Sequence, residues 1–160
     1  MSIEHVAINA SPLITLYRAN LHIVLPLIFP EILVPDAVWA EVVSHTHEDP
    51  ATKGLPRATW AKKVTVSSRS EVEAWNLGAG ETSLLSLAFA DKSVTVIMDD
   101  RAARRCANVF GISAIGTAGI VVIAKRRGLI PSVEQALRQL QTAGLWISET
   151  LISELAMEDR

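Results

Sequence analysis

The sequence predicts an α/β protein with a mostly parallel sheet covered by helices on both faces. Two observations carry this. Short apolar runs of strand length alternate along the chain with longer, helix-patterned segments, and strands joined through helices run parallel. The clearest strand candidates are nearly unbroken in apolar residues, as strands buried on both faces are. With 160 residues, 49% of them apolar and 20% charged, the chain can bury one sizeable core and is read as one domain, 1–160.

HVAIN (5–9) is the first strand. Ser11-Pro12 then signals a helix start, since serine caps and proline suits a first helical turn. LITLYRA (13–19) and LHIVLPLIF (21–29) read as short helices, the second limited by its prolines. EILVP (31–35) is a second strand and DAVWAEVVSH (36–45) a helix. Residues 46–62 hold Pro50, Gly54 and Pro56 without a clear period and read as an irregular excursion. KVTVS (63–67) alternates as a strand. GAGETSLLSLAFAD (78–91) is a buried helix, SVTVIM (93–98) a strand. RAARRCANVF (101–110) is amphipathic, with Ala102, Ala103, Cys106, Ala107 and Phe110 on one face. ISAI (112–115) is a last short strand. Three helices follow: TAGIVVIAKRR (117–127), closed by Gly128; SVEQALRQLQTA (132–143), with Ser132 and Gln135 at capping-box spacing; and SETLISELAMED (148–159).

A net charge of −2 excludes a globally basic polyanion binder, so any nucleic-acid contact must come from a local patch. One cysteine, Cys106, excludes an intramolecular disulfide framework and a cysteine-rich zinc site. The start MSIEHVAIN lacks a basic leader, and the apolar stretches 21–34 and 112–124 are broken or too short for a bilayer, which needs roughly 20 residues. A cytoplasmic protein without membrane contact is expected. No phosphate-binding loop and no Gly-x-Ser-x-Gly elbow is present. His45 and His47, two apart, cannot share a helical face, and no further zinc ligands can be assigned to them.

In parallel sheets ligands bind beyond the carboxyl ends of the strands, at a topological switch. Asn9 ends the first strand; Asp99 and Asp100 end SVTVIM; Glu81 lies in the first turn of the helix before it. These groups converge if the two strands are neighbours. Each also has a structural reading. One acid at a strand–helix junction caps the helix, but two in a row repel unless a cation or donors offset them. Glu81 can serve the helix dipole, although Gly78 and Gly80 also permit close approach to the backbone. Glu41 lies roughly 130° from the centre of the Val38–Trp39–Val42–Val43 stripe, where a solvated acid is ordinary. Asn9 and Ser11 can form a turn and cap, but an amide closing a buried strand must find partners.

The ordered set NASPLI (9–14), PDAVWAE (35–41), GAGETSLLSLA (78–88), VIMDDRAARR (96–105) and AIGTAGIVVIAKRRGLIPSV (114–133) resembles the PIN-domain family. It looks closest to a branch of short prokaryotic proteins related to the toxins of VapC-type toxin–antitoxin pairs. The resemblance implies a three-layer α/β/α nuclease whose carboxylates hold Mg²⁺ or Mn²⁺ and which cuts RNA. By motif, the family's acids fall on Asn9, Glu41, Glu81 and Asp100, with Asp99 as a neighbouring alternate ligand and Ser11 as the small hydroxyl residue beside the first acid. It implies Glu81 and Asp100 as direct ligands, with Asn9 and Glu41 acting through water or once RNA arrives.

Arg101, Arg104 and Arg105 follow the acids and are candidates for phosphate contacts. Lys125, Arg126 and Arg127 suit the C-terminal end of a helix dipole as well as a substrate. Lys53, Arg57, Lys62 and Lys63, with Trp60, give 46–63 a basic, stacking-capable character that an ordinary surface loop also shows. The leading expectation is a metal-dependent ribonuclease, the toxin of a toxin–antitoxin pair, acting as a homodimer with a small antitoxin as partner. Asn9 departs from the usual aspartate: it offers a neutral carbonyl oxygen and removes one charge, so the alternative is a PIN-like RNA-binding or regulatory protein with weak or no catalysis. A phospho-acceptor receiver would need its acid pair after the first strand, where Asn9 stands. A structural protein whose acids only cap helices is the remaining reading.

Overall fold

A computed structural model describes residues 3–44 and 49–160. Its sheet has five strands, β1 (His5–Ile8), β2 (Glu31–Pro35), β3 (Ala61–Val64), β4 (Val94–Ile97) and β5 (Ala114–Ile115), in the order β3-β2-β1-β4-β5. Every pairing is parallel. β1 pairs with β4 in the register Ile8↔Ile97, and the Asn9 N–H donates to the Ile97 carbonyl at 3.0 Å. The chain order reverses between these two strands, so the switch point lies where Asn9, Asp99 and Asp100 leave the sheet.

Strand alternation builds two cores. Val6, Ile8, Ile32, Val34 and Ile97 point to one face, against α1 (Ala10–Arg18), α2 (Val24–Ile28), α3 (Asp36–Val43), α8 (Thr117–Arg126) and α9 (Val133–Thr142). Ala7, Leu33, Val94 and Val96 point to the other, against α6 (Ala79–Ala90) and α7 (Arg101–Val109). The result is the expected three-layer α/β/α arrangement. Each fully buried Val, Leu or Ile contributes about 1.5–3 kcal/mol, so the near-continuous apolar strands are fixed by both layers.

Local departures from the sequence reading have physical causes. α1 begins at Ala10, not at Pro12, with Asn9 in the capping position but making no side-chain cap. The excursion at 46–62 contains α4 (Pro50–Gly54) and a 3₁₀ turn (Leu55–Arg57): Asp49 accepts from the Ala51 N–H and Pro50 starts the helix, so the residues read as breakers are a cap and a first turn. β3 lies two residues earlier than the alternation placed it, as an edge strand with exposed Lys62 and Lys63, charges that suit an unpaired edge. A four-residue helix, α5 (Ser70–Glu73), adds to the elements the sequence predicts. His45 and His47 lie outside the described residues. Residues 149–155 form α10 (Glu149–Leu155), followed by a 3₁₀ turn at Ala156–Asp159. Among the described residues no helix is long and apolar enough to cross a membrane.

Candidate active site

The β1–α1 junction turns Asn9 inward. Its side chain is 4% exposed, and no donor among the described residues reaches its Oδ1. An unsatisfied buried acceptor costs about 1–3 kcal/mol, so this carbonyl oxygen calls for a partner. α3 and α6 supply the surroundings. A Cβ built on Gly80 would lie 3.3 Å from Asn9 Oδ1, 3.1 Å from Glu41 Oε1 and 3.5 Å from Val38 Cγ2. The two oxygens therefore approach the same backbone position from different elements, and only glycine leaves that space free. Glu81 follows directly, half-buried, with its carboxylate folded against Gly78, where a Cβ would come 2.8 Å from Oε2.

The acids after β4 are placed differently. Asp99 Oδ1 accepts from the Thr117 N–H at 2.9 Å, and its Oδ2 accepts from the Thr117 hydroxyl at 2.6 Å. This carboxylate ties the end of β4 to the start of α8, and Arg104 lies beside it over Gly116. Asp100 is exposed and caps α7, its Oδ2 accepting from the Ala103 N–H at 2.9 Å. Thus Asn9 and Glu41 come together at Gly80, next to Glu81. Asp99 and Asp100 each hold a helix start, and the described residues contain no group of three or more His, Cys, Asp or Glu side chains arranged to hold a metal. Ser11 is exposed and lines a cleft with Glu41 and Arg18.

A family model described as a PIN domain matches residues 5–158. The chain belongs to the PIN-domain family. No curated protein matches the chain. PIN domains have a nuclease-type fold and are generally dependent on divalent metals. The donors found here suit that requirement: Asn9 Oδ1 is buried and without a donor, Glu41 adds a carboxylate oxygen beside it, and Glu81 stands on the next residue after Gly80. All are hard oxygens, and Mg²⁺ is commonly held by one or two carboxylates plus water.

The basic residues of this PIN domain divide sharply. Arg126 pairs with Glu158, Arg127 donates to the Ile28 carbonyl, and Lys125 donates to the Pro131 carbonyl, so the trio ending α8 is spent on internal contacts. Among the described residues the side chains of Arg101 and Arg105 make no hydrogen bond or ion pair, and both are exposed beside the acids; the Arg104 side chain makes only a long contact, 3.4 Å, to the Met98 carbonyl. Trp60 packs against the core and stacks on Tyr17, which accounts for it structurally. Thr117, the partner of Asp99, is not singled out by the sequence reading, whereas Gly80, read as permitting close approach to the backbone, seats the oxygen pair. The Gly-Thr start of α8 is the available signal for Thr117.

Proposed function

We propose that this PIN-domain protein is a Mg²⁺- or Mn²⁺-dependent ribonuclease, and that it is the toxin of a toxin–antitoxin pair of the VapC-like kind. The observation that carries the proposal is the buried Asn9 carbonyl oxygen without a donor, facing the same glycine as Glu41. Asn9 and Glu41 would hold the cation together with Glu81, whose carboxylate, folded against Gly78, would have to rotate toward them. Asp100 would join from the end of β4 through the oxygen not engaged in its cap, with Asp99 in reserve. Once bound, the cation supplies Lewis-acid stabilisation of the charge that builds on the scissile phosphate. The protein's part is orientation and charge balance. Arg101, Arg104 and Arg105 offset the phosphates that carboxylates would repel, and Ser11 borders the cleft beside Glu41.

The antitoxin partner and the homodimer rest on the family resemblance. In α10 Ile152 sits in the core with Leu155 packed against it while Leu151 is exposed, and Ile23 and Leu27 near α2 are also exposed, so both places offer apolar side chains to a second copy. A cytoplasmic location is part of the same proposal. The competing reading, an RNA-binding protein with little catalysis, is favoured by the missing negative charge at Asn9. Incubation of purified protein with single-stranded RNA and Mn²⁺ separates the two. The ribonuclease reading expects cleavage that EDTA stops and that Glu81→Gln and Glu41→Gln each reduce by at least about a hundredfold. RNA binding without cleavage would favour the competitor, and cleavage surviving in both variants would remove the site.

A further inference from the structure

Trp146 is the most exposed large apolar side chain among those described, at 82%. Trp39 and Trp60 pack on one core and Trp75 on the other. Its exposure follows from local geometry. Gly144, with φ +115°, turns the chain out of α9. Residues 145–148 then run without regular structure, Leu145 and Ile147 packing on the core while Trp146 between them faces out. The indole is therefore held on a segment anchored on both sides. It lines an open groove of about 480 Å³ whose other walls are mostly apolar, Ile115, Leu151 and Leu155 among them, with Asp99, Arg101 and Arg104 as its charged residues. The Arg101 side chain has no partner among the described residues, and both Asp99 oxygens accept from Thr117.

We propose that this groove is a subsite for single-stranded RNA in which a base stacks on Trp146 and the adjoining phosphate is taken by Arg101 and Arg104. The inference deepens the ribonuclease reading and rests on it for the identity of the nucleic acid. An indole with guanidinium groups in one groove matches a base with its phosphate, since stacking on an aromatic face is sequence-tolerant and contributes about 1–3 kcal/mol per base. A duplex keeps its bases stacked on one another and offers the indole no free face. A wholly apolar partner would leave Arg101 desolvated and unpaired, which is costly.

The test uses a short labelled oligouridine, with binding followed by fluorescence anisotropy and Mn²⁺-dependent cleavage followed separately. Trp146→Ala should weaken binding and raise KM about tenfold with little change in kcat, Trp146→Phe should restore most of the loss, and duplex RNA should be insensitive to both. Because the side chain is exposed, both variants should keep the wild-type Tm. Unchanged oligouridine binding by Trp146→Ala overturns the subsite and leaves the ribonuclease reading intact. The same holds if that variant alters only self-association, as a protein-docking face would. Wild-type protein that binds oligouridine through Trp146 but never cleaves it would sustain the subsite and overturn the ribonuclease reading.

Discussion

Asn9 carries the chemistry of the proposed site because its carbonyl oxygen is buried without a donor while Glu41 shares its surroundings. Converting it to a carboxylate tests this directly. Asn9→Asp places a second negative charge, largely buried, beside Glu41. Without metal the variant should be about 1–3 kcal/mol less stable, measured by denaturant unfolding. With Mn²⁺ it should bind the ion about tenfold more tightly by calorimetry, since ligand charge sets affinity at oxygen sites. Equal stability and equal affinity would mean that no cation-binding potential exists at Asn9. Gly80→Ala is the complementary change. Its Cβ would crowd the two oxygens at 3.1 and 3.3 Å, while alanine favours the helix by about 1 kcal/mol. The variant should therefore fold normally and lose Mn²⁺ affinity by about tenfold or more. The convergence of these residues was only partly legible in the sequence. The strand ends marked Asn9, Asp99 and Asp100, but the meeting of Glu41 with Asn9 depends on how α3 packs against α6, which no local pattern encodes.

At the level of elements, the two acids after β4 perform different tasks that substitutions can separate. Asp100→Asn preserves an acceptor of similar capping strength, whereas Asp100→Ala should cost about 1 kcal/mol through loss of the α7 cap. If Asp100 also serves the metal, Asp100→Asn should lower cleavage with little change in Tm; unchanged cleavage would leave it a cap alone. Thr117→Val removes the hydroxyl donor to Asp99 and should destabilise the fold by about 1–3 kcal/mol in a denaturant titration. The main elements were readable because long apolar strands and amphipathic helices repeat their signal over many residues. α4 was not, because Asp49-Pro50 looks like a loop until the Ala51 N–H is seen to bond the aspartate. β3 slipped because two exposed lysines blur the alternation of an edge strand.

For the whole molecule, the order β3-β2-β1-β4-β5 brings the ends of the first and fourth strands to one switch point, where the proposed site lies. Asp159 ties the 3₁₀ turn after α10 to the start of α9. Asp159 accepts from the Val133 and Glu134 N–H groups at the start of α9, and those bonds hold its carboxyl below the ordinary aspartate value. A carboxylate with a lowered folded-state pKa stabilises the fold above its unfolded value, and that contribution disappears as pH falls through the folded value. Thermal unfolding followed from neutral to acidic pH should show wild type losing this increment in the acidic limb, with Asp159→Asn lacking it at neutral pH. Asn9, Glu41 and Glu81 are proposed to bind one catalytic cation together, and a manganese titration by calorimetry decides whether they do. Wild-type protein should bind Mn²⁺, and Glu41→Gln and Glu81→Gln should each weaken that binding about tenfold or more. Undiminished affinity in both variants, or no binding by the wild type, would contradict it.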